Sequence, residues 1–394
     1  MLKKWNARRI VQMVVRRIKF WLCPYIVFKN IFHTHYSKKC LMLYIVQPFI
    51  NHQTNSHVNQ QHALAMAQIF HDKGFDVDVA QYNIKRDIDF RKYDVIFGFG
   101  EQFDKCLERK YDYSGKFSYT TIAFLTGASP YYSNVAELKR LAYFKKRNGA
   151  ALMLRRQVHE SDGLMNLAAL QKSTAGICIG NDWTMRTWEH MVSNVHKITA
   201  TGFDNVKLRD IKRKIGDAKK NFLYFSGAGC IHKGLDLCIE AFRKMPTLNL
   251  YIAGAMDSDF YNFYRNDFEG KNIHYKGFVN VTSGEYRELC ESCLFAIFPS
   301  CSEGMASSVL TTMFSGMIPI VTEESGVDIE DWGIAIKHPE VHYLATLIRE
   351  ASVMNDEDLW LREEKAYRYA LENHSMERFQ TDFSRIVDLI LSAS

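Results

Sequence analysis

The run Phe298-Pro-Ser-Cys-Ser-Glu-Gly-Met-Ala-Ser-Ser-Val-Leu-Thr-Thr-Met-Phe-Ser-Gly-Met-Ile-Pro-Ile-Val321 places an acid, Glu303, between a buried strand broken at Pro299 and the start of a helix. An acid beside open helix-start N–H groups suits a sugar that carries a diphosphate. The amides and the helix dipole hold phosphate, and the carboxylate accepts sugar hydroxyls. The plainer reading of Glu303 is an ordinary helix-start acid, and periodicity alone does not separate the two. Two further polar groupings stand at strand ends. In His52-Gln-Thr-Asn-Ser-His57, Asn55 and His57 are candidates to face a cleft, with ordinary helix capping by Asn55 or Ser56 as the equal alternative. Thr126-Gly-Ala-Ser-Pro130 offers Thr126, Gly127 and Ser129 to the same cleft. Arg140, Lys145, Lys146 and Arg147 form a basic helical cluster, fit for membrane phosphates or an acceptor pyrophosphate, or simply a solvated face.

The elements that must position these residues alternate between strand and helix from residue 40 onward. Apolar runs at 41–46, 75–79, 93–97, 120–125 and 176–179 read as strands, and a helix over 56–73 is stopped by Gly74. A second series opens with a strand at 222–225, the loop Gly227-Ala-Gly229 and a helix over 235–243. It continues with strands at 248–253, 273–275, 294–298 and 318–321 and a helix over 284–291. Such alternation predicts parallel, doubly wound sheets: an α/β protein of two Rossmann-like halves whose strand ends face each other across a cleft. The expected divisions are a basic segment over 1–39, an acceptor-binding half over 40–205, a linker over 206–220 and a donor-binding half over 221–374. A final helix over 375–391 would cross back to the first half, carrying 375–394 with it.

At 394 residues the chain exceeds one ordinary core, which agrees with two domains. Its net charge of +6 is unevenly spread: residues 1–39 hold ten Lys or Arg and no acid, leaving the remainder net acidic. Ala7, Ile10, Val11, Val14, Ile18, Trp21 and Leu22 share one helical face, with Arg8, Arg9, Arg16 and Lys19 opposite. This segment, continued by the apolar run 20–28, reads as an anchor on an anionic membrane surface, each basic residue adding roughly 1 kcal/mol. The alternative is a helix packed on the body. Charges interrupt any span or export signal, so the expectation is a cytoplasmic protein, peripheral at the inner face of the cell membrane. Nucleic acid is not an expected partner, because no helix-turn-helix, zinc or RNA-binding signature accompanies the basic arm. Nine cysteines without an export signal read as reduced thiols, and the Cys290/Cys293 pair as core packing. No metal and no cofactor are expected, and no His/Cys/Asp cluster contradicts that.

From about Phe222 to Gly333 the second half resembles the nucleotide-sugar-binding domain of retaining glycosyltransferase family 4, the group 1 glycosyltransferases of GT-B fold. The resemblance rests on the glycine loop with Lys233-Gly234, the Gly277-Phe-Val279 turn, Pro299-Ser-x-Ser-Glu-Gly304 with its helix, and Gly316-x-x-Pro-Ile-Val. It implies catalytic roles for Glu303, holding the donor sugar, and for Lys233, contacting the donor diphosphate as the departing nucleotide gains charge. A cation at a helix start is disfavoured by the dipole, which favours that role over plain solvation. Implied donor contacts are Gly227, Gly229, His232, Gly277, Phe278, Val279, Ser302, Gly304, Met305, Ala306, Ser307, Ser308 and Thr311. Two positions depart from the family. Thr311 stands where a second Glu, eight positions after the first, typically holds the ribose; a hydroxyl replaces one hydrogen bond but not a charge-assisted pair. Ala228 stands where Arg is common, which leaves the diphosphate to Lys233, His232 and helix ends. The phrases around Gly316–Asp328 and Thr54–Asn59 are similar to a branch from bacterial surface-polysaccharide clusters.

The function expected from this resemblance is metal-independent transfer of a hexose-type sugar, with retention, from a nucleotide-diphosphate sugar to a glycan or lipid-linked glycan acceptor in surface polysaccharide biosynthesis. The alternatives are a non-catalytic GT-B partner subunit, or a nucleotide-sugar epimerase or phosphorylase on the same fold.

Overall fold

The computed structural model describes residues 21–51, 57–110, 119–152, 154 and 166–393. The basic helix expected before residue 21, together with Asn55 and Ser56, lies outside the described residues. The first half is built on β1 (Val27–Phe28), β2 (Lys38–Tyr44), β3 (Phe75–Gln81), β4 (Val95–Gly98), β5 (Thr120–Leu125), β6 (Ala175–Ile179) and β7 (Val195–Ile198). The second is built on β8 (Asn221–Phe225), β9 (Asn249–Ala253), β10 (Ile273–Gly277), β11 (Phe295–Phe298), β12 (Ile318–Val321) and β13 (Ile334–Ala335). Sheet orders are β1-β3-β2-β4-β5-β6-β7 and β10-β9-β8-β11-β12-β13, parallel except for the β1–β3 pair. In the second sheet the strand order reverses between β8 and β11, and an open α/β sheet forms its binding crevice beyond the carboxyl ends of such strands. The loops that follow β8 and β11 carry Lys233 and Glu303.

These strands read as unbroken apolar runs because helices cover both sheet faces: Phe222, Leu223, Phe295, Ile297, Ile318 and Ile320 are all fully buried. Pro319 is tolerated within β12. Ile318 N donates toward β11, at Leu294 O, and the neighbouring β13 pairs only with Ile320 and Val321, so no ladder bond is lost. All nine cysteines are unbridged and buried, and Cys290 and Cys293 pack in the core.

Two stretches differ from the sequence reading. Residues 27–36, expected within the basic surface segment, lie along the edge of the first sheet. Asp78 Oδ1 accepts from Asn30 N at 2.8 Å. Asp76 Oδ1 accepts from Thr34 Oγ1 at 2.8 Å and from Tyr36 N at 3.1 Å. An uncovered edge strand would invite pairing with other chains. The stretch 206–220 is packed into the second half rather than free. Arg213, with a side chain 1% exposed, pairs with Glu363 and donates to the carbonyls of Cys290 and Ser315. No helix among the described residues is long and apolar enough to cross a membrane.

The last helix, Met376–Ser392, packs on the first half. Phe383 meets Phe70 and Phe97 edge-on at 5.8 and 5.5 Å, and Lys73 Nζ pairs with Asp388 at 2.6 Å. Two imidazoles are sealed at this junction: His62 stacks on Phe379 at 4.2 Å, and His374 Nδ1 lies 3.0 Å from Ala200 O. Burial pushes His62 down to about 3 and His374 down to about 4, and His374 Nε2 has no partner for a second proton. Both rings are therefore neutral when folded, whereas the unfolded chain takes up protons below about pH 6.5. Stability is fully present above that value and is lost as pH falls toward the folded pKa values. Each ring is expected to withdraw about 2 kcal/mol between pH 8 and pH 5. His374→Asn, whose amide can still donate to Ala200 O, should flatten a urea-denaturation pH profile by that amount; an unchanged slope would show that His374 does not drive it.

Candidate active site

The loop after β8 must turn back tightly to enter the helix Leu235–Phe242. Lys233 N donates to Gly229 O at 2.8 Å, and Gly234 caps the helix with φ +74°. A Cβ at Gly234 would lie 2.5 Å from Pro299 O, so glycine lets the β8 loop rest against the β11 loop. Lys233, with a side chain 18% exposed, has its Nζ 3.7 Å from Glu303 Oε1 and 5.8 Å from the Phe298 ring centroid.

The β11 loop is held by its own polar groups. Thr322 Oγ1 donates to Ser300 O at 2.6 Å, Ser300 Oγ to Glu303 Oε1 at 3.2 Å, and Glu303 N to Glu324 O at 2.8 Å. Glu303 keeps a side chain 20% exposed beside the ammonium of Lys233. An acceptor for hydroxyls and a cation for phosphate thus stand together at the switch point of the second sheet.

The first half closes on this pair. Ala128 N donates to Glu303 O at 3.2 Å, and Thr184 Oγ1 donates to Gly304 O at 2.7 Å. Trp188 Nε1 steadies the Thr126–Ser129 turn by donating to Gly127 O at 2.8 Å. His57 caps the helix Val58–Asp72, its Nδ1 accepting from Asn59 N at 3.2 Å, which leaves Nε2 as the nitrogen that carries hydrogen. Solvent reaches its ring, yet the surrounding protein lowers its pKa. The Lys233 charge lowers it further and Glu303 opposes. A neutral N–H donor therefore comes from the first half to the neighbourhood of Lys233 and Glu303.

The other expected contacts divide. Thr126 is exposed, Gly127 and the helix-start residues Ser307 and Ser308 are half-buried, and Gly227 is exposed with open space around it. Phe278 is 69% exposed on the Gly277 turn, where φ is +69°. Ser129 is fully buried as the cap of the helix Pro130–Asn148, accepting from Tyr132 N. Val279 packs in an apolar cluster with Val58 of the first half. Ser302 and Ala306 are buried, and Met305 Sδ accepts from Ala200 N at 3.2 Å. His232 is buried, with a side chain 1% exposed.

Thr311 is 2% exposed and its hydroxyl is committed, donating to Ser307 O at 2.7 Å and accepting from Phe203 N at 3.0 Å. It ties the chain segment between the halves to the Ser307–Met313 helix. Thr311→Val leaves the Phe203 N–H buried without an acceptor and is expected to cost about 1–3 kcal/mol in chemical denaturation. Nucleotide affinity should stay within twofold; a tenfold loss in titration calorimetry would return Thr311 to the ribose.

Sequence reasoning missed the helix Pro130–Asn148 as a bridge. Arg140 donates to Pro299 O at 2.7 Å, and Arg147 pairs with Asp236 and, at 2.8 Å, with Glu240. Their spacing of seven, with Phe144 between them, was the available signal: all three share the inward face, while Lys145 and Lys146 are exposed. Among the described residues no group of three His, Cys, Asp or Glu is placed to hold a metal ion.

Residues 208–363 match the family model "Glycosyl transferases group 1". Several solved structures share the fold. The HepE protein of Anabaena, in complex with UDP and glucose, is 12% identical with a TM-score of 0.58 over 91% of this chain and 100% of its own. WaaG, described as a glycosyltransferase involved in lipopolysaccharide biosynthesis, is 14% identical with a TM-score of 0.53, covering 88% of this chain and 98% of its own. TarM of S. aureus is 13% identical with a TM-score of 0.50 over 75% of this chain, which spans only 54% of TarM. The sequence matches no curated protein.

Proposed function

We propose, from the match of residues 208–363 to the group 1 glycosyl transferases, that the protein moves a hexose-type sugar from a nucleotide-diphosphate sugar to a glycan or lipid-linked glycan acceptor. Anomeric configuration is retained, and the product belongs to a surface polysaccharide assembled at the cytosolic membrane face. The observation that carries this reading is the meeting of Glu303 and Lys233, 3.7 Å apart, at the ends of β11 and β8, with the first half closing over them.

In the reaction, Glu303 accepts hydroxyls of the donor sugar and fixes its orientation, while Lys233 neutralises the diphosphate. The bond from the anomeric carbon to the phosphate oxygen breaks and a bond to the acceptor oxygen forms on the same face. The acceptor's proton passes to the departing phosphate. Such a site works by placement and electrostatics rather than by a strong protein base. His57, neutral and presenting Nε2–H, is suited to donate to a phosphate or sugar oxygen from the opposite wall.

The test is thermal stability against UDP, GDP, dTDP and CMP and their sugars. A ligand at 100 times its dissociation constant adds roughly 2.7 kcal/mol. HepE was solved with UDP and glucose, so the UDP sugars come first. A shift selective for one nucleotide class and absent in Lys233→Ala supports the reading. No shift with any nucleotide favours a non-catalytic partner subunit.

A further inference from the structure

His232 stands immediately before Lys233, and its buried ring lies in a junction between the halves. Its Nε2 lies 2.6 Å from Ser302 O and 3.8 Å from Glu303 Oε1. Its Nδ1 lies 3.2 Å from Glu137 Oε2 and 3.5 Å from Cys301 Sγ. A backbone carbonyl can only accept, so Nε2 donates to Ser302 O, and Nδ1 faces Glu137. Glu137 belongs to the first half, on the helix Pro130–Asn148, and is 2% exposed. One turn further along that helix Arg140 holds Pro299 O, and from the preceding turn Ala128 N holds Glu303 O. The first half therefore grips the Pro299–Glu303 loop at both ends and, through His232, in the middle.

We propose that Glu137 and His232 are a positioning pair through which the acceptor half sets the placement of Glu303. Glu137 fixes the ring from its Nδ1 side. The ring then holds the Ser302 carbonyl and, with it, the loop that carries Glu303. With the halves apart, Glu137 is withdrawn, and Glu303 loses that tether. Sugar is thus held for transfer only when the acceptor half is in place. This rests on the proposed function, in which Glu303 grips a donor sugar.

The experiment uses the full chain carrying Glu137→Gln, with His232→Gln for assignment and as a second variant. Imidazole nitrogen NMR should show the His232 Nδ1 resonance displaced in Glu137→Gln, with Nε2 still carrying its hydrogen toward Ser302 O. That measurement needs no activity, so it decides the pairing even if no nucleotide sugar proves to be a donor. In transfer assays Glu137→Gln should lower kcat about tenfold, leave UDP affinity within twofold, and cause no further loss in a Glu303→Gln background, because coupled sites are not additive. His232→Gln should lower kcat similarly, and would carry the kinetic test if Glu137→Gln does not fold. A ring unchanged by Glu137→Gln, or losses that add fully to that of Glu303→Gln, would overturn the proposal.

Discussion

Lys233→Ala is expected to lower kcat/KM for glycosyl transfer by about 10²–10³-fold, the scale seen when a preorganised group facing developing charge is removed. The side chain is largely enclosed, with Nζ over the Phe298 ring and 3.7 Å from Glu303 Oε1. Ala228 supplies no second cation in the glycine loop, so the loss is not shared. Because charge on the diphosphate grows as the sugar departs, kcat should fall more than KM rises. Lys233→Arg should recover only part of the rate, since a planar guanidinium places its donors differently from a compact ammonium. Steady-state kinetics on folded variants would measure this. A loss under threefold would remove Lys233 from the reaction and leave it as a structural partner of Glu303.

The second large effect is expected from one methyl group. Gly304 has no Cβ because none fits: it would lie 2.7 Å from Thr126 O, 3.0 Å from Ile179 O and 3.1 Å from Gly127 Cα. All three are backbone atoms of the first half, so no side-chain rotation relieves the clash. Retreat is blocked as well, since Gly326 lies so close behind that its own Cβ would fall 1.7 Å from Gly304 O. Gly304→Ala should therefore push the halves apart, breaking the bonds from Ala128 N to Glu303 O and from Thr184 Oγ1 to Gly304 O. Overpacking of this kind costs about 1–3 kcal/mol. Transfer should fall about 100-fold, a near-total loss of the closed arrangement at that cost, while nucleotide affinity changes less than threefold. An increased radius of gyration in X-ray scattering would accompany the loss. Normal turnover would show that closure at Gly304 is not required.

What the sequence made legible follows from local physics. Apolar runs between small or polar residues located the strands within a few positions, while Gly234 and Gly304, read only as motif residues, stand where backbone approaches backbone. His57 was read as a cleft candidate beside a cap at Asn55 or Ser56, and in the structure His57 is itself the cap, its Nδ1 accepting from Asn59 N. The roles of Glu137, Thr184 and Trp188 were not readable. Each acts on a residue of a distant loop, Glu137 and Thr184 across the two halves and Trp188 within the first, through a register that no spacing within one helix encodes. The bonds of Thr311 were hidden for a related reason. Its position in the motif suggested a sugar contact, but the chain between the halves passes so close that its hydroxyl satisfies Phe203 N.

The docking of the last helix on the first sheet bears on how the protein is made. Phe70 and Phe97 wait for Phe383, and His62 for Phe379, so the half translated first is finished by residues made only after the second half. Until then the nascent first half displays an aromatic seam that its own chain will later cover, while the second half is synthesised in between. Domains generally fold as units during synthesis, but here the first unit must wait. A message truncated before residue 376 would yield a second half with its strands intact beside a first half open along that seam. Chaperones and proteases would meet that product through the exposed seam.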